Sequence, residues 1–97
     1  MKQVTIYFSR DLEPRVVTAL DHAGVEGYLR LAGATANRFC EPGQVPRAIT
    51  WEATLFVVPT AEEAQARVIV EQLEDYAGSC EIAPCLRIVV AGVEAIH

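Results

Sequence analysis

The chain has 97 residues, 52% of them apolar, which suits one globular domain spanning 1–97 rather than a disordered chain. Its net charge of −5, with Lys2 the single lysine beside seven arginines, argues against a general nucleic-acid binder, which needs a basic face to displace counterions. No apolar run approaches the ~20 residues that span a bilayer, and the start MKQVTIYFSRDLE lacks the small-residue cleavage site of a signal peptide, so a soluble cytoplasmic protein is expected.

In chain order, Val4 to Phe8 alternates as a first strand, with Val4, Ile6 and Phe8 on one face and Gln3, Thr5 and Tyr7 on the other. A helix begins between Asp11 and Pro14, where an acidic residue and a first-turn proline both suit an N-terminus. Leu12, Val16, Ala19, Leu20 and Ala23 form its apolar stripe, Gly24 ends it, and His22 falls on the solvated side. Val25 to Leu31 reads as the second strand, entered through Gly27. From Ala32 to Ala48 no periodic pattern survives, and so long a connection in a small domain is expected to be a loop that is either functional or disordered.

The most strongly specified unit is Thr50 to Gly78. Thr50 to Val58 is β-branched and aromatic, and Pro59 is expected to end that strand because it cannot donate to a ladder. Thr60 and Glu63 have capping-box spacing. Ala66, Ile69, Val70, Leu73 and Ala77 then recur at helical spacing, with Gly78 as the stop. Ser79 to Pro84 is irregular, and Cys85 to Ala91 is the last strand.

The order β-α-β-β-α-β predicts an α+β, ferredoxin-like fold: a four-stranded antiparallel sheet with both helices on one face. The other face then carries Tyr7, one row of the third strand (Phe56, or Trp51 with Leu55) and either Ile88 or Val89. A monomer would expose that apolar surface, so burial in an oligomer is expected. An enzyme is not expected. The loop Ser9-Arg10-Asp11 after the first strand holds neither a CxxC nor a glycine-rich phosphate cradle, and no helix carries a paired catalytic set.

Three cysteines, Cys40, Cys80 and Cys85, fall in or beside the two irregular stretches. An odd number speaks against a disulfide framework. Cys85 can simply be a small core residue. The alternative is a thiolate site for Cu(I) or Zn(II), although C-x4-C is not a standard zinc spacing.

AGVEGY after the first helix, the long loop behind it, LFVVPTAEEAQ and EDYAG together resemble the PII signalling superfamily over nearly the whole chain. The likeness is closest to the PII-like branch associated with bicarbonate and carbon-concentrating systems. It implies a homotrimer with sheets facing inward, adenine-nucleotide sensing in clefts between subunits, and a long loop, residues 32–48, that engages a membrane transporter or another protein. By position, Gly33 and Arg38 match the family's loop glycine and arginine, Arg47 sits at the loop's far end, and the segment from Gly78 to Pro84 would line the nucleotide cleft. The chain departs from PII proteins proper in having SCEIAPC where they carry a basic, glycine-rich phosphate holder. A phosphate group would therefore fall to arginines such as Arg38, Arg47 or Arg87, helped by backbone N–H groups. Kinship with relatives linked to heavy-metal handling keeps the Cys40, Cys80 and Cys85 site in view as the alternative.

Overall fold

The computed structural model describes residues 1–39, 48–75 and 86–95, with backbone alone at 37–39 and 48–50. Strand β1 is Lys2–Phe8, helix α1 is Glu13–Ala23 behind a 3-10 turn at Arg10–Leu12, and β2 is Leu29–Phe39. Strand β3 is Ala48–Thr60, α2 is Glu63–Leu73 and β4 is Leu86–Gly92. All pairings are antiparallel, in the order β2-β3-β1-β4. This is the expected ferredoxin-like sheet.

The alternation in β1 fixes the core. Val4, Ile6 and Phe8 are fully buried, and so are their partners in β3, Phe56 and Val58. Against them pack Leu12, Val16, Ala19 and Leu20 from the first helical segment, then Ala66, Ile69 and Leu73 from α2. Phe8 meets Phe56 edge to face at 5.0 Å, the arrangement favoured by ring quadrupoles. Helix α1 stops as expected at Gly24, whose φ of 70° is the left-handed cap conformation.

Four local expectations are corrected. The second strand starts later than Val25: the Val25 N–H still closes α1 by donating to the Leu20 carbonyl at 3.5 Å, and pairing begins only at Leu29, opposite Val57, so Leu29 to Leu31 alone of the expected stretch is strand. Much of the stretch expected to be an irregular loop is strand instead. Thr35 to Phe39 pairs in register with Ala48 to Glu52, so the segment leaves the sheet as a two-stranded arm. Neither described helix packs over this arm, so its composition shows little of the apolar stripe seen in β1.

Pro59 does not end β3, which continues to Thr60 in pairing with Lys2. Since β2 first pairs at Val57, β3 has no described strand neighbour on that flank at Pro59, a condition under which proline is tolerated. Thr60 therefore cannot cap α2; its hydroxyl donates to the Lys2 carbonyl at 2.9 Å. The cap is Glu62, in a box with Gln65: the Glu62 N–H donates to Gln65 Oε1 at 3.2 Å, and the Glu62 carboxylate accepts from the Gln65 backbone. Helix α2 closes at Leu73, while Ala77 and the expected stop at Gly78 lie outside the described residues.

Phe56→Ala removes a fully buried ring from the centre of this core and is expected to cost about 3–5 kcal/mol of stability. Val17→Ala, on an exposed position of α1, should change stability by less than about 0.5 kcal/mol. Urea denaturation of both variants checks the contrast.

Candidate functional site

Partners across a ladder share a face, so the register assigns the face opposite the helices. One row crosses the sheet as Arg87, Tyr7, Leu55 and Leu31, and the next as Val89, Thr5, Val57 and Leu29. The open choices are thereby resolved: Trp51, Leu55 and Val57 occupy the uncovered face, while Phe56 belongs to the core, and β4 offers Val89 rather than Ile88. Leu29, Leu31 and Val89 are each about half or more exposed, at 58%, 48% and 53%. The aromatic end of this face is ordered by Tyr7 and Trp51, stacked at a centroid distance of 6.2 Å.

The residues expected to hold an anionic effector are distributed around this face. Gly33 sits where the β2–β3 register shifts between Leu31 and Ala34, and its φ of 75° is the left-handed conformation that a bulge glycine supplies without steric cost. Arg38 lies opposite Ile49 in the arm, five residues and so roughly 16 Å further along the strand. Arg87 is on β4, at the opposite end of the Tyr7 row, three strand spacings or roughly 14 Å from Leu31. One copy of the chain therefore does not bring Gly33, Arg38 and Arg87 together. Arg47, Gly78, Cys40, Cys80 and Cys85 lie outside the described residues, and among those described no group of three His, Cys, Asp or Glu is placed to hold a metal ion.

Arg30, which is adjacent to the bulge, is already engaged. On the helix side of β2 it forms a charge-assisted pair with Glu13 through Nε and Oε1, with a second contact at 3.4 Å. The hydrogen bond to Glu13, followed by that carboxylate's charge, raises its pKa above the ordinary guanidinium value. The pair ties the start of α1 to the root of the arm.

A second feature had no signal in the sequence. Where β2 begins late, the uncovered flank of β3 borders a groove of about 900 Å³ between the segment after α1 and the start of α2. Tyr28, Leu29, Val57 and Pro59 form apolar walls, with Glu26, Glu62 and Gln65 beside them. Gln65 fixes its width by donating from Nε2 to the Gly24 carbonyl at 3.1 Å, joining the end of α1 to the first turn of α2. Tyr28 stacks on the buried Phe56 at 4.5 Å, which holds its ring in place. Only the AGVEGY and PTAEEAQ segments could have suggested the groove, and nothing in their spacing says that they meet.

The chain was compared with known proteins. No protein-family model and no curated protein matches it. Among solved structures it is similar to CPII, a nitrogen regulatory PII-like protein from Thiomonas intermedia K12 bound to ADP, AMP and bicarbonate. That match covers 99% of this chain and 94% of CPII, with a TM-score of 0.61 and 14% identity. It is also similar to the B. subtilis GlnK–ATP complex, over 94% of this chain and 82% of that one, with a TM-score of 0.64 and 8% identity. At these identities the likeness concerns the fold, and it is nearly end to end.

Gly33→Ala places a side chain in open space, since nothing lies within 4 Å of a Cβ built there. Its whole effect is then backbone strain at positive φ, expected at about 1–2 kcal/mol. Gly27→Ala, also in open space and without a positive φ, should be near neutral by the same denaturation measurement.

Proposed function

Proceeding from a PII-like fold shared over almost its whole length, we propose that this chain is a PII-like regulatory protein and not an enzyme. Copies assemble as a trimer through the uncovered sheet faces, and an anionic effector, an adenine nucleotide first among candidates, binds in clefts between them. The observation that carries this reading is the near-complete structural match to CPII, whose structure holds ADP, AMP and bicarbonate. Two features of the chain support it. The exposed row of Leu29, Leu31 and Val89 needs a cover. Gly33, Arg38 and Arg87 are too widely spaced on one copy to form a single site, whereas a neighbouring copy can complete one.

In this reading Gly33 lets an effector approach the backbone at the bulge, and Arg38, Arg47 and Arg87 neutralise its charge, with the segment at Gly78 alongside. The arm formed by β2 and β3 reports occupancy to a target, which the family resemblance makes a membrane transporter or another protein in the cytoplasm. Among the described residues no helix is long and apolar enough to cross a membrane, so such a transporter is a partner of the arm.

Native mass spectrometry with ADP and ATP tests the whole reading. A trimer with up to one nucleotide per cleft is expected; a monomer, or a trimer that ignores adenine nucleotides, overturns it. Arg38→Ala should weaken nucleotide binding by about tenfold or more through loss of a charge-assisted contact, with trimer mass unchanged. Leu55→Glu places a charge at the centre of the uncovered face and should yield folded monomers by light scattering, with far-ultraviolet circular dichroism unchanged.

A further inference from the structure

We infer that the cleft between α2 and β4, on the helix side of the sheet, binds a small organic carboxylate with an apolar body. The cleft follows from uneven cover over β4, the last strand in the sheet order. Its helix-side row is Leu86, Ile88 and Val90, opposite Phe8, Ile6 and Val4. Leu86 is fully buried and Ile88 half-buried, but Val90 is 44% exposed. Helix α2 directs its large side chains, Ile69 and Leu73, into the central core. Beside Val90 it offers Ala66 and Val70, which leave a space of about 350 Å³, at the lower end of the range of small-molecule sites. Among the described residues, neither the arginines of the effector reading nor any side chain of the uncovered sheet face lines this space.

The chemistry is that of an apolar floor under a cationic rim. Ala66, Val70 and Val90 form the floor, and Lys2, Glu63 and Arg67 stand around it. Lys2 and Glu63 pair at 3.6 Å and offset one another, so Arg67 carries the surplus charge. Among the described residues no ion pair engages its guanidinium. A guanidinium presents two parallel N–H donors that match the two oxygens of a carboxylate. An inorganic anion would meet Arg67 and leave the floor uncovered, while a neutral hydrocarbon would cover the floor and leave Arg67 unmatched. A carboxylate on an apolar body uses both. No second copy of the chain is needed to complete the site, so the inference stands apart from the trimer and from the nucleotide.

A titration of the 15N-labelled protein at constant ionic strength, followed by amide chemical shifts, tests this inference. Hexanoate is the probe, hexanamide its uncharged counterpart, and acetate the carboxylate without a body. Saturable shifts confined to Lys2, Glu63–Val70 and Val89–Gly92 are expected with hexanoate, at least about tenfold tighter than with hexanamide or acetate. R67Q changes an exposed side chain, so it should fold normally by circular dichroism and lose the preference for the acid. V90F fills the cleft from an exposed strand position and should abolish binding. Equal binding of hexanamide or acetate, unchanged affinity in R67Q or V90F, or no saturable shift at tens of millimolar hexanoate overturns the proposal. So does an ADP titration that moves these same amides, or loss of the trimer in V90E, since the cleft would then belong to the nucleotide site or to the interface between copies. The titration is read on whatever assembly the chain forms, so it can fail while trimer and nucleotide uptake stand, and the reverse.

Discussion

The rest of the structure depends on a single alternation, that of β1. Val4, Ile6 and Phe8 are driven to one side of the strand by its two-residue period, and β1 lies inside the sheet between β3 and β4. Their ladder partners must follow: Val58, Phe56 and Thr54 from β3, and Val90, Ile88 and Leu86 from β4. Both helices then bury their stripes on that side. The same constraint assigns Tyr7, Leu55, Val57 and Val89 to the opposite side, where no described element covers them. The core and the uncovered face are two consequences of one pleat.

That pleat also governs where function can reside. The sheet has one face packed under the helices and one that exposes Leu29, Leu31 and Val89, and the residues singled out for chemistry lie at its margins. Arg87 ends a row on β4, Gly33 marks the bulge where the arm departs, and Arg38 stands out along the arm. Their separation is a property of strand geometry, 3.3 Å per residue along a strand and ~4.8 Å between strands. In the proposed reading, a cleft shared between copies is where such separated groups would converge. The ion pair of Glu13 with Arg30 serves a different end, anchoring the root of the arm to α1 on the helix side.

The groove arises from a mismatch of lengths. Strand β3 runs to Thr60, but β2 begins opposite Val57, so among the described residues the end of β3 lacks a strand neighbour on one flank. Pro59 is admitted there because a proline needs no ladder partner on an open flank. The two ends of helix α1 and helix α2 are drawn across the gap by the hydrogen bond from Gln65 to the Gly24 carbonyl. An apolar space walled by Tyr28 and rimmed by Glu26 and Glu62 is what remains.

The sequence by itself determined the parts of this protein that rest on local rules. The alternation of Val4 to Phe8, the stripe from Leu12 to Ala23 closed by Gly24, and the run from Trp51 to Val58 followed by Ala66, Ile69 and Leu73 were legible because each pattern repeats within a few residues of itself. Element order then sufficed for the ferredoxin-like topology. What only the tertiary structure decided depends on residues distant in sequence. The arm from Ala34 to Phe39 is strand because Ala48 to Ala53 lies beside it, and its own composition carries no period. Thr60 is lost to α2 as a cap because Lys2 takes its hydroxyl, and Glu62 succeeds it. The choice of Val57 over Phe56 for the uncovered face follows from register with β1, since both rows of β3 are apolar. The groove and the spread of Gly33, Arg38 and Arg87 are likewise set by how the strands pair, a long-range property that spacing along the chain does not encode.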